Sequence, residues 1–296
     1  MGGRSHIRGI PSAAKKGNKL SVNPKKTAKD ASKLVKLEPI LSILRAALWT
    51  GKLSDEKPVS VMLVAVQESA KTEAMKYFKG TPTIRYLSDL TSRGINHFKA
   101  DIQSGKIKHI MLLDLVRILS HGKGVSERTI QTLASLMEEG ESETADAGGS
   151  EKWENFPRIG ALMGITPSFF KSKRGKWRQT GFMTRFIPVC FKYKDKTVDE
   201  IHDSIANGQH APLPCPENIP HESYQIKCPP EMSKLLSIRA KMLGQQMKSY
   251  GFRYHRILRA LAKAQARIEE EGTVSASHVK TVLGWAEFFT DKEIEL

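Results

Sequence analysis

Residues 61–72, VMLVAVQESAKT, join an apolar run to a polar segment that ends in a lysine and a threonine. The apolar run, 60–66, predicts a buried strand, and the residues after the polar segment, 72–78, predict a short helix. Further apolar runs of strand length occur at 83–87, 107–115, 159–166 and 186–193. Because helical patterns lie between strands of this kind, the sequence predicts an α/β domain with a parallel sheet.

The chain divides into segments of different composition. Residues 1–36 contain ten Lys or Arg and one acid, Asp30, which gives this arm a charge of +9 out of the total of +16. A basic arm with few apolar residues is typical of disordered segments. The α/β domain is predicted over 37–206, a proline-rich connector over 207–230, and a small all-helical domain over 231–296.

The charge of the chain indicates a class of partner. A basic arm attracts nucleic-acid phosphates because the released counterions supply free energy; the alternative is a tail that only improves solubility. No apolar run approaches the roughly 18 residues of a membrane span. The first residues also lack the apolar segment of a signal peptide. We therefore expect a cytoplasmic protein that binds nucleic acid and makes no contact with a membrane.

The cysteines predict neither disulfides nor a common zinc site. Cys190, Cys215 and Cys228 are an odd number without a CxxC pair, which favours reduced thiols. Cys215 and Cys228 share the proline-rich connector with His210 and His221. These four residues are therefore a candidate metal site, although their spacing matches no common zinc pattern.

The Lys-Thr pair of the opening stretch stands where the phosphate-binding pattern G-x-x-x-x-G-K-[ST] has its lysine and hydroxyl. In that pattern backbone N–H groups and the lysine bind phosphates, and the hydroxyl binds Mg²⁺. Ala65 and Ala70 replace the two glycines, and alanine disfavours the positive φ that such loops often use. The alternative is a lysine on a solvated helix end. The predicted nucleotide-binding residues are Gln67, Glu68, Ser69, Ala70, Lys71 and Thr72.

Two aspartates extend this prediction. Asp114 ends the apolar run at 107–115, and an acid at the end of such a strand holds Mg²⁺, here together with Thr72. Many P-loop ATPases have a water-activating glutamate directly after this acid, but this chain has Leu115 at that position. Asp89 follows the run at 83–87, where P-loop ATPases of the recombinase type carry a catalytic carboxylate. Its alternative role is to cap the helix that follows.

At this point the chain resembles the AAA+ ATPases, over about residues 58–290. The fourth predicted strand ends in GIT (164–166), which resembles the sensor-1 position and gives Thr166 a hydrogen bond to the γ-phosphate or to the attacking water. Residues 181–189, GFMTRFIPV, resemble the hhSRFDhhh stretch of minichromosome-maintenance helicases. That resemblance makes Arg185 an arginine finger, which reaches the ATP site of a neighbouring subunit.

The helical part extends the resemblance. Residues 252–279, FRYHRILRALAKAQARIEEEGTVSASHV, are similar to the lid of the same helicases. The alignment gives Arg253 the sensor-2 role, with Arg256 as a competitor one turn on and a solvated helix arginine as the alternative. The chain departs from the family pattern at both P-loop glycines and at the Walker B glutamate.

The resemblance implies a homo-oligomer, a ring or a helical assembly, that acts on DNA rather than RNA with ATP and Mg²⁺. Residues 170–179, FKSKRGKWRQ, predict a basic loop that contacts phosphates and stacks a base; the alternative is a solvated loop near the subunit interface. The predicted nucleic-acid-binding residues are Lys171, Lys173, Arg174, Lys176, Trp177 and Arg178.

Three functions remain open from the sequence. The first is a DNA-dependent ATPase, such as a helicase-like motor, a loader or a replication accessory. The second is a DNA-binding protein that ATP assembles with little or no hydrolysis, which the missing glutamate favours. The third is a structural protein that keeps the fold and has lost the ligand.

Overall fold

The computed structural model describes residues 36–140, 143–146, 149–153, 157–207 and 214–289. The basic arm up to residue 35, His210 and the end of the predicted helical domain, 290–296, lie outside these ranges.

Seven strands and eleven α-helices lie within the described residues. The strands are β1 Val61–Val64, β2 Ile84–Leu87, β3 His109–Leu112, β4 Glu143–Asp146, β5 Gly149–Lys152, β6 Gly160–Ile165 and β7 Ile187–Cys190. The helices are α1 Glu38–Thr50, α2 Lys71–Lys76, α3 Ser92–Asn96, α4 Lys99–Gln103, α5 Val116–Ser120, α6 Lys123–Glu138, α7 Pro167–Gln179, α8 Asp195–Ala206, α9 Pro230–Gln246, α10 Phe252–Ile268 and α11 Ala276–Trp285.

Five strands form one sheet in the order β2-β3-β6-β1-β7, and every pair in it is parallel. Strands β4 and β5 form a separate antiparallel hairpin. The five predicted strands are the five strands of the sheet, so the prediction of an α/β domain with a parallel sheet is confirmed. Strands β1, β3, β6 and β7 are buried along their whole length, as helices on both faces of a parallel sheet require.

The register of the sheet brings the ends of its strands together. Val64, the last residue of β1, is paired with Ile165 of β6 and with Cys190 of β7. We call the edge at which the five strands end the C-terminal edge, and the opposite one the N-terminal edge. From β1 the chain runs past β6 and β3 to reach β2, whereas from β6 it runs past β1 in the opposite direction to reach β7. Neighbouring strands whose connections diverge leave a crevice at the C-terminal edge, where ligands of open α/β sheets bind.

Gly164 in β6 allows the chain after β3 to pass close to this crevice. A Cβ atom at Gly164 would lie 2.5 Å from the carbonyl oxygen of Leu113, so no other residue fits without a backbone shift. The N–H of Leu115 donates to the Gly164 carbonyl at 2.8 Å. These contacts fix Asp114, which lies between the two leucines, beside the end of β6.

The C-terminal helices pack against the α/β part. Helix α10 lies between α9 and α11 and also packs along α1. Lys263 of α10 is buried and forms an ion pair with Glu56, a residue ahead of β1, at 2.9 Å. A single hydrophobic cluster extends from α1 through the sheet to α11, so the helices that the sequence separates into a domain share the core of the sheet. Among the described helices none is both long and apolar enough to cross a membrane.

His109, the first residue of β3, is a titratable side chain inside this core. It is fully buried, and a Cβ atom at Gly160 would lie 2.3 Å from its ring. Burial lowers the pKa of His109 from 6.5 to about 4. The carbonyl groups of Val59 and Ala47 oppose this shift, although neither is aligned well enough for a regular hydrogen bond. The positive charge of Lys108 acts in the same direction as burial.

We expect His109 to make the stability of the protein depend on pH between about 6.5 and 4. In this window the unfolded chain binds a proton at His109 and the folded chain does not. The free energy of unfolding therefore falls as the pH falls, by about 3 kcal/mol in all, and this contribution levels off below pH 4. Urea unfolding at pH 7, 6, 5 and 4 of the wild type and of His109→Leu measures it. The difference between the two proteins should shift steadily in favour of His109→Leu, and a difference that is the same at every pH would contradict the assignment.

Candidate functional site

The polar segment between β1 and α2, residues 65–71, forms the Lys71 loop. Glu68 and Ala70 have φ values of +60° and +57°, in the left-handed region that residues with a side chain seldom adopt. Each such residue costs about 1–2 kcal/mol relative to a right-handed conformation. The chain therefore holds this turn without the two glycines of the phosphate-binding pattern, and Ala70 takes the conformation that alanine disfavours. Strain of this kind is common where a loop binds a ligand.

The ammonium group of Lys71 is folded over its own loop. It donates to the carbonyl oxygens of Ala65 and Val66, both at 2.6 Å, and lies 3.4 Å from the hydroxyl of Ser69. Partial burial lowers the pKa of Lys71, and the negative charge of Asp114 opposes this shift. The charged group thus lies in the centre of the loop, with neutral acceptors that an anion can replace.

A cleft of about 750 Å³ opens at the C-terminal edge beside this loop. Its walls include Gln67 from the Lys71 loop, Asp114 from the end of β3 and Thr166 from the end of β6. Phe191 and Lys192, which follow β7, close the other side. The volume is in the range of natural ligand sites, and four strand ends contribute to the walls.

The polar groups of the cleft keep acceptor and donor capacity for a ligand. One oxygen of the exposed Asp114 carboxylate accepts the N–H of Val116 at 2.9 Å, and the other has no hydrogen-bond partner in the described part of the chain. The hydroxyl of Thr166 lies 3.4 Å from that of Ser168. Thr72, in the first turn of α2, is partly buried and its hydroxyl makes no hydrogen bond to another described residue. Asp114 and Thr166 therefore line one cleft with Gln67, whereas Lys71 and Thr72 lie in the adjoining loop and helix and do not line it; Lys71 is close enough to Asp114 for their charges to interact.

The carboxylate predicted to activate water is held elsewhere. Asp89 is exposed at the end of β2, where its Oδ2 lies 2.8 Å from Nε2 of His121. It does not line the cleft. Asp89 does not cap the next helix either, because the hydroxyl of Thr91 caps α3 by accepting the N–H of Gly94. Leu115, which replaces the usual glutamate, points into the core and is fully buried.

The two predicted arginines lie at the opposite edge of the sheet. Arg185 precedes β7, and its guanidinium donates to Glu139 at 3.0 Å. Arg253, at the start of α10, donates to the hydroxyl of Thr184 at 2.7 Å and lies 3.6 Å from Glu138. The four residues of β7 separate Arg185 from the C-terminal edge by about 10 Å, which is more than an arginine side chain can reach. Neither arginine is near the Lys71 loop of its own chain.

Glu138, at the end of α6, organises this group of arginines. Arg256 also pairs with Glu138, and Lys57 donates to the same carboxylate at 2.7 Å. Burial acts to raise the pKa of Glu138, but the hydrogen bonds from Lys57 and Arg256 outweigh it and lower the pKa below its ordinary value. We call Arg185, Arg253 and Arg256, with Glu138 and Glu139, the arginine cluster.

The prediction of a basic loop at 170–179 is wrong, because these residues form most of helix α7. Trp177 is buried and contacts Phe170 and Phe182 edge to face, with ring centroids 6.1 and 5.3 Å away. It therefore cannot stack a base. Lys171 is exposed and Lys176 forms an ion pair with Glu127, so a phosphate contact by the polar face of α7 stays a prediction. The other predicted basic residues of this face, all partly exposed, are Lys173, Arg174 and Arg178.

The sequence analysis assigned no role to three residues of these sites, His121, Phe191 and Lys192. His121 lies in a short glycine-containing turn, and only the folded chain brings it to Asp89. Phe191 and Lys192 follow the last strand of the sheet. The rule that parallel strands end at one edge could have identified them, because the ends of the other strands were already assigned.

Comparison with models of known protein families gives no match for this chain, and comparison with curated proteins gives none. The assignment of the cleft therefore depends on its geometry.

We expect Ala70→Gly to stabilise the protein by up to about 1 kcal/mol, because glycine adopts a φ of +57° without steric strain. Ala74→Gly is the matched control: it makes the same change at a buried position inside α2, where glycine costs about 1 kcal/mol. Denaturant unfolding of both variants measures the two effects. Destabilisation of similar size by both substitutions would contradict the conformation described for Ala70.

Proposed function

We propose that the protein binds ATP with Mg²⁺ at the Lys71 loop and acts on DNA as an oligomeric ATPase of the AAA+ type. One observation carries the proposal: the Lys71 loop, Asp114 and Thr166 follow three different strands and lie at the crevice where the connections after β1 and β6 run in opposite directions. Open parallel sheets bind nucleotides at such a crevice.

The residues of the cleft, together with the adjoining Lys71 loop and Thr72, fit a magnesium nucleotide. The backbone of residues 67–70 and the ammonium of Lys71 are suited to the phosphates, because a phosphate can take the place of the loop carbonyls at Lys71. Thr72 and Asp114 would supply the hydroxyl and the carboxylate to hold Mg²⁺, whose charge would offset that of the phosphates. Thr166 is suited to orient the terminal phosphate or a water molecule.

The arginine cluster supports an assembly of several copies. Arg185 and Arg253 lie at the N-terminal edge, whereas the Lys71 loop lies at the C-terminal edge. If these arginines act on a nucleotide, it is the nucleotide of a neighbouring copy. A positive group supplied by a neighbour stabilises the charge on the transferring phosphoryl group. The C-terminal helices, which carry Arg253, would then act as a lid on the neighbour's site.

The basic character of the chain supports DNA as the partner. The arm of residues 1–36 carries +9, and the lysines of α7 add charge on the body. Attraction between these groups and phosphates depends strongly on salt, as in other nucleic-acid-binding proteins.

A second candidate function is an assembly protein that ATP gates without turnover. It is favoured by the surroundings of Asp114, where Leu115 is buried and Asp89 is paired with His121 outside the cleft. The two functions differ in one measurable quantity, the rate of phosphate release by a protein that has been shown to bind ATP. A protein that binds ATP, assembles and releases no phosphate with or without DNA has the second function.

We expect Lys71→Ala to weaken binding of magnesium ATP by about tenfold to a hundredfold, the loss of one charge-assisted contact to phosphate. Lys76→Ala is the control, because Lys76 is an exposed lysine of the same helix that pairs with Glu73 at 3.1 Å. Isothermal titration of the three proteins compares their affinities for ATP. An unchanged affinity in Lys71→Ala would exclude both candidate functions.

We expect Arg185→Ala to bind ATP normally and to lower its turnover by about a hundredfold or more. A mixture of Arg185→Ala with Lys71→Ala should regain part of the activity, because each variant supplies the group that the other lacks. Glu139→Gln is the control for a purely structural effect, since it breaks the same ion pair and keeps the arginine. A mixture as inactive as its components, or equal losses in Arg185→Ala and Glu139→Gln, would contradict action on a neighbour's nucleotide.

A further inference from the structure

Two aromatic side chains lie exposed at the junction of α9 and α10, one in the turn and one at the first residue of α10. Tyr250 and Phe252 are 85% and 77% exposed, and their rings are stacked, with centroids 5.8 Å apart and planes inclined by 21°. We call them the aromatic pair. Large apolar groups that a fold leaves in water at one place indicate a binding surface.

The turn that carries the aromatic pair is closely packed. Gly251, between the two residues, has a φ of +82°, and a Cβ atom there would lie 2.4 Å from the carbonyl oxygen of Ala240. A Cβ atom at Gly244 would in turn lie 2.6 Å from the backbone of Gly251. The N–H of Ser249 donates to the Gly244 carbonyl at 2.8 Å. The rings are therefore presented by a backbone that is fixed against α9.

The surroundings of the aromatic pair are basic. Residues 230–259 contain seven Lys or Arg and a single acid, Glu231; three of the seven, Arg253, Arg256 and Arg259, pair with Glu138 or Glu56. Lys241 borders the pair, because its Cα lies 3.3 Å from the position of a Cβ on Gly251, and Lys248 precedes Tyr250 by two residues. Both lysines are exposed, and neither forms an ion pair with another described residue.

We infer that the aromatic pair binds single-stranded nucleic acid, with bases stacked on Tyr250 and Phe252 and phosphates held by Lys241 and Lys248. Exposed ring faces beside unpaired lysines are what a single strand requires, because its bases offer their own faces and its backbone is an anion. A duplex does not offer them, since its bases are already stacked on one another. The inference rests on the nucleic-acid part of the proposed function and not on the nucleotide site.

The test measures the affinity of the full chain for a fluorescein-labelled oligothymidylate by fluorescence anisotropy without ATP, and compares the wild type with variants. The double variant Tyr250→Ala/Phe252→Ala should bind at least about tenfold more weakly, the loss expected for stacked bases. The matched control is Leu235→Ala/Ile238→Ala, which removes two exposed apolar side chains from α9 and leaves the pair intact. It should bind as the wild type does. Both variants should keep the melting temperature of the wild type, because the side chains are exposed.

The role of the two lysines is tested by the salt dependence of the affinity. Lys241→Gln/Lys248→Gln should lower the slope of log affinity against log salt concentration by about 1.4, the value for two phosphate contacts on a single strand. The aromatic variant should lower the affinity and leave this slope unchanged.

Three results would overturn the inference. If the wild type binds the oligonucleotide and the aromatic variant binds it equally well, the inference is wrong and the proposed function stands. If the wild type binds neither single-stranded nor duplex DNA, the DNA part of the proposed function fails with it. If the aromatic variant binds normally but sediments as a smaller particle than the wild type, the pair is an interface between copies of the chain.

Discussion

The parallel pairing of β1 between β6 and β7 is the constraint on which the candidate site depends. The buried hydroxyl of Ser60 accepts the N–H of Ala161 at 2.9 Å, and the carbonyl of Ser60 accepts the N–H of Ile187 at 3.0 Å, so one residue fixes both neighbours at the start of β1. A slip of one residue would turn every side chain of β1 to the other face of the sheet. It would also move the Lys71 loop away from Asp114.

The sequence was sufficient for the five strands because buried parallel strands are nearly continuous apolar runs. The prediction from sequence was wrong at α7, because the density of positive charge suggested a loop. Phe170 and Trp177 are seven residues apart, two helical turns, and this spacing was the signal for a buried helical face. The order of the strands could not be predicted, because it depends on which strands pair and not on any local pattern.

The parts of the candidate site that depend on local sequence were predictable. Lys71, Asp114 and Thr166 each follow a strand, and strands of one parallel sheet end at one edge. Interactions between distant residues were not predictable: no pattern links Asp89 to His121, or Arg253 to Thr184. The conformation of Ala70 was not predictable either, because the energy of the surrounding fold overrides the preference of alanine.

In the proposed assembly, an arginine of the arginine cluster would leave its own carboxylate for a phosphate of a neighbouring copy. Arg185 is itself only 15% exposed, but its partner Glu139 is 51% exposed, so water can solvate that carboxylate when the arginine leaves it. Glu138 is only 13% exposed and holds Lys57 and Arg256, so loss of its partners would leave a poorly solvated charge. In the proposed assembly Arg185 would leave a carboxylate that water already reaches, whereas Arg256 remains with the poorly solvated Glu138 and keeps α10 fixed against α6.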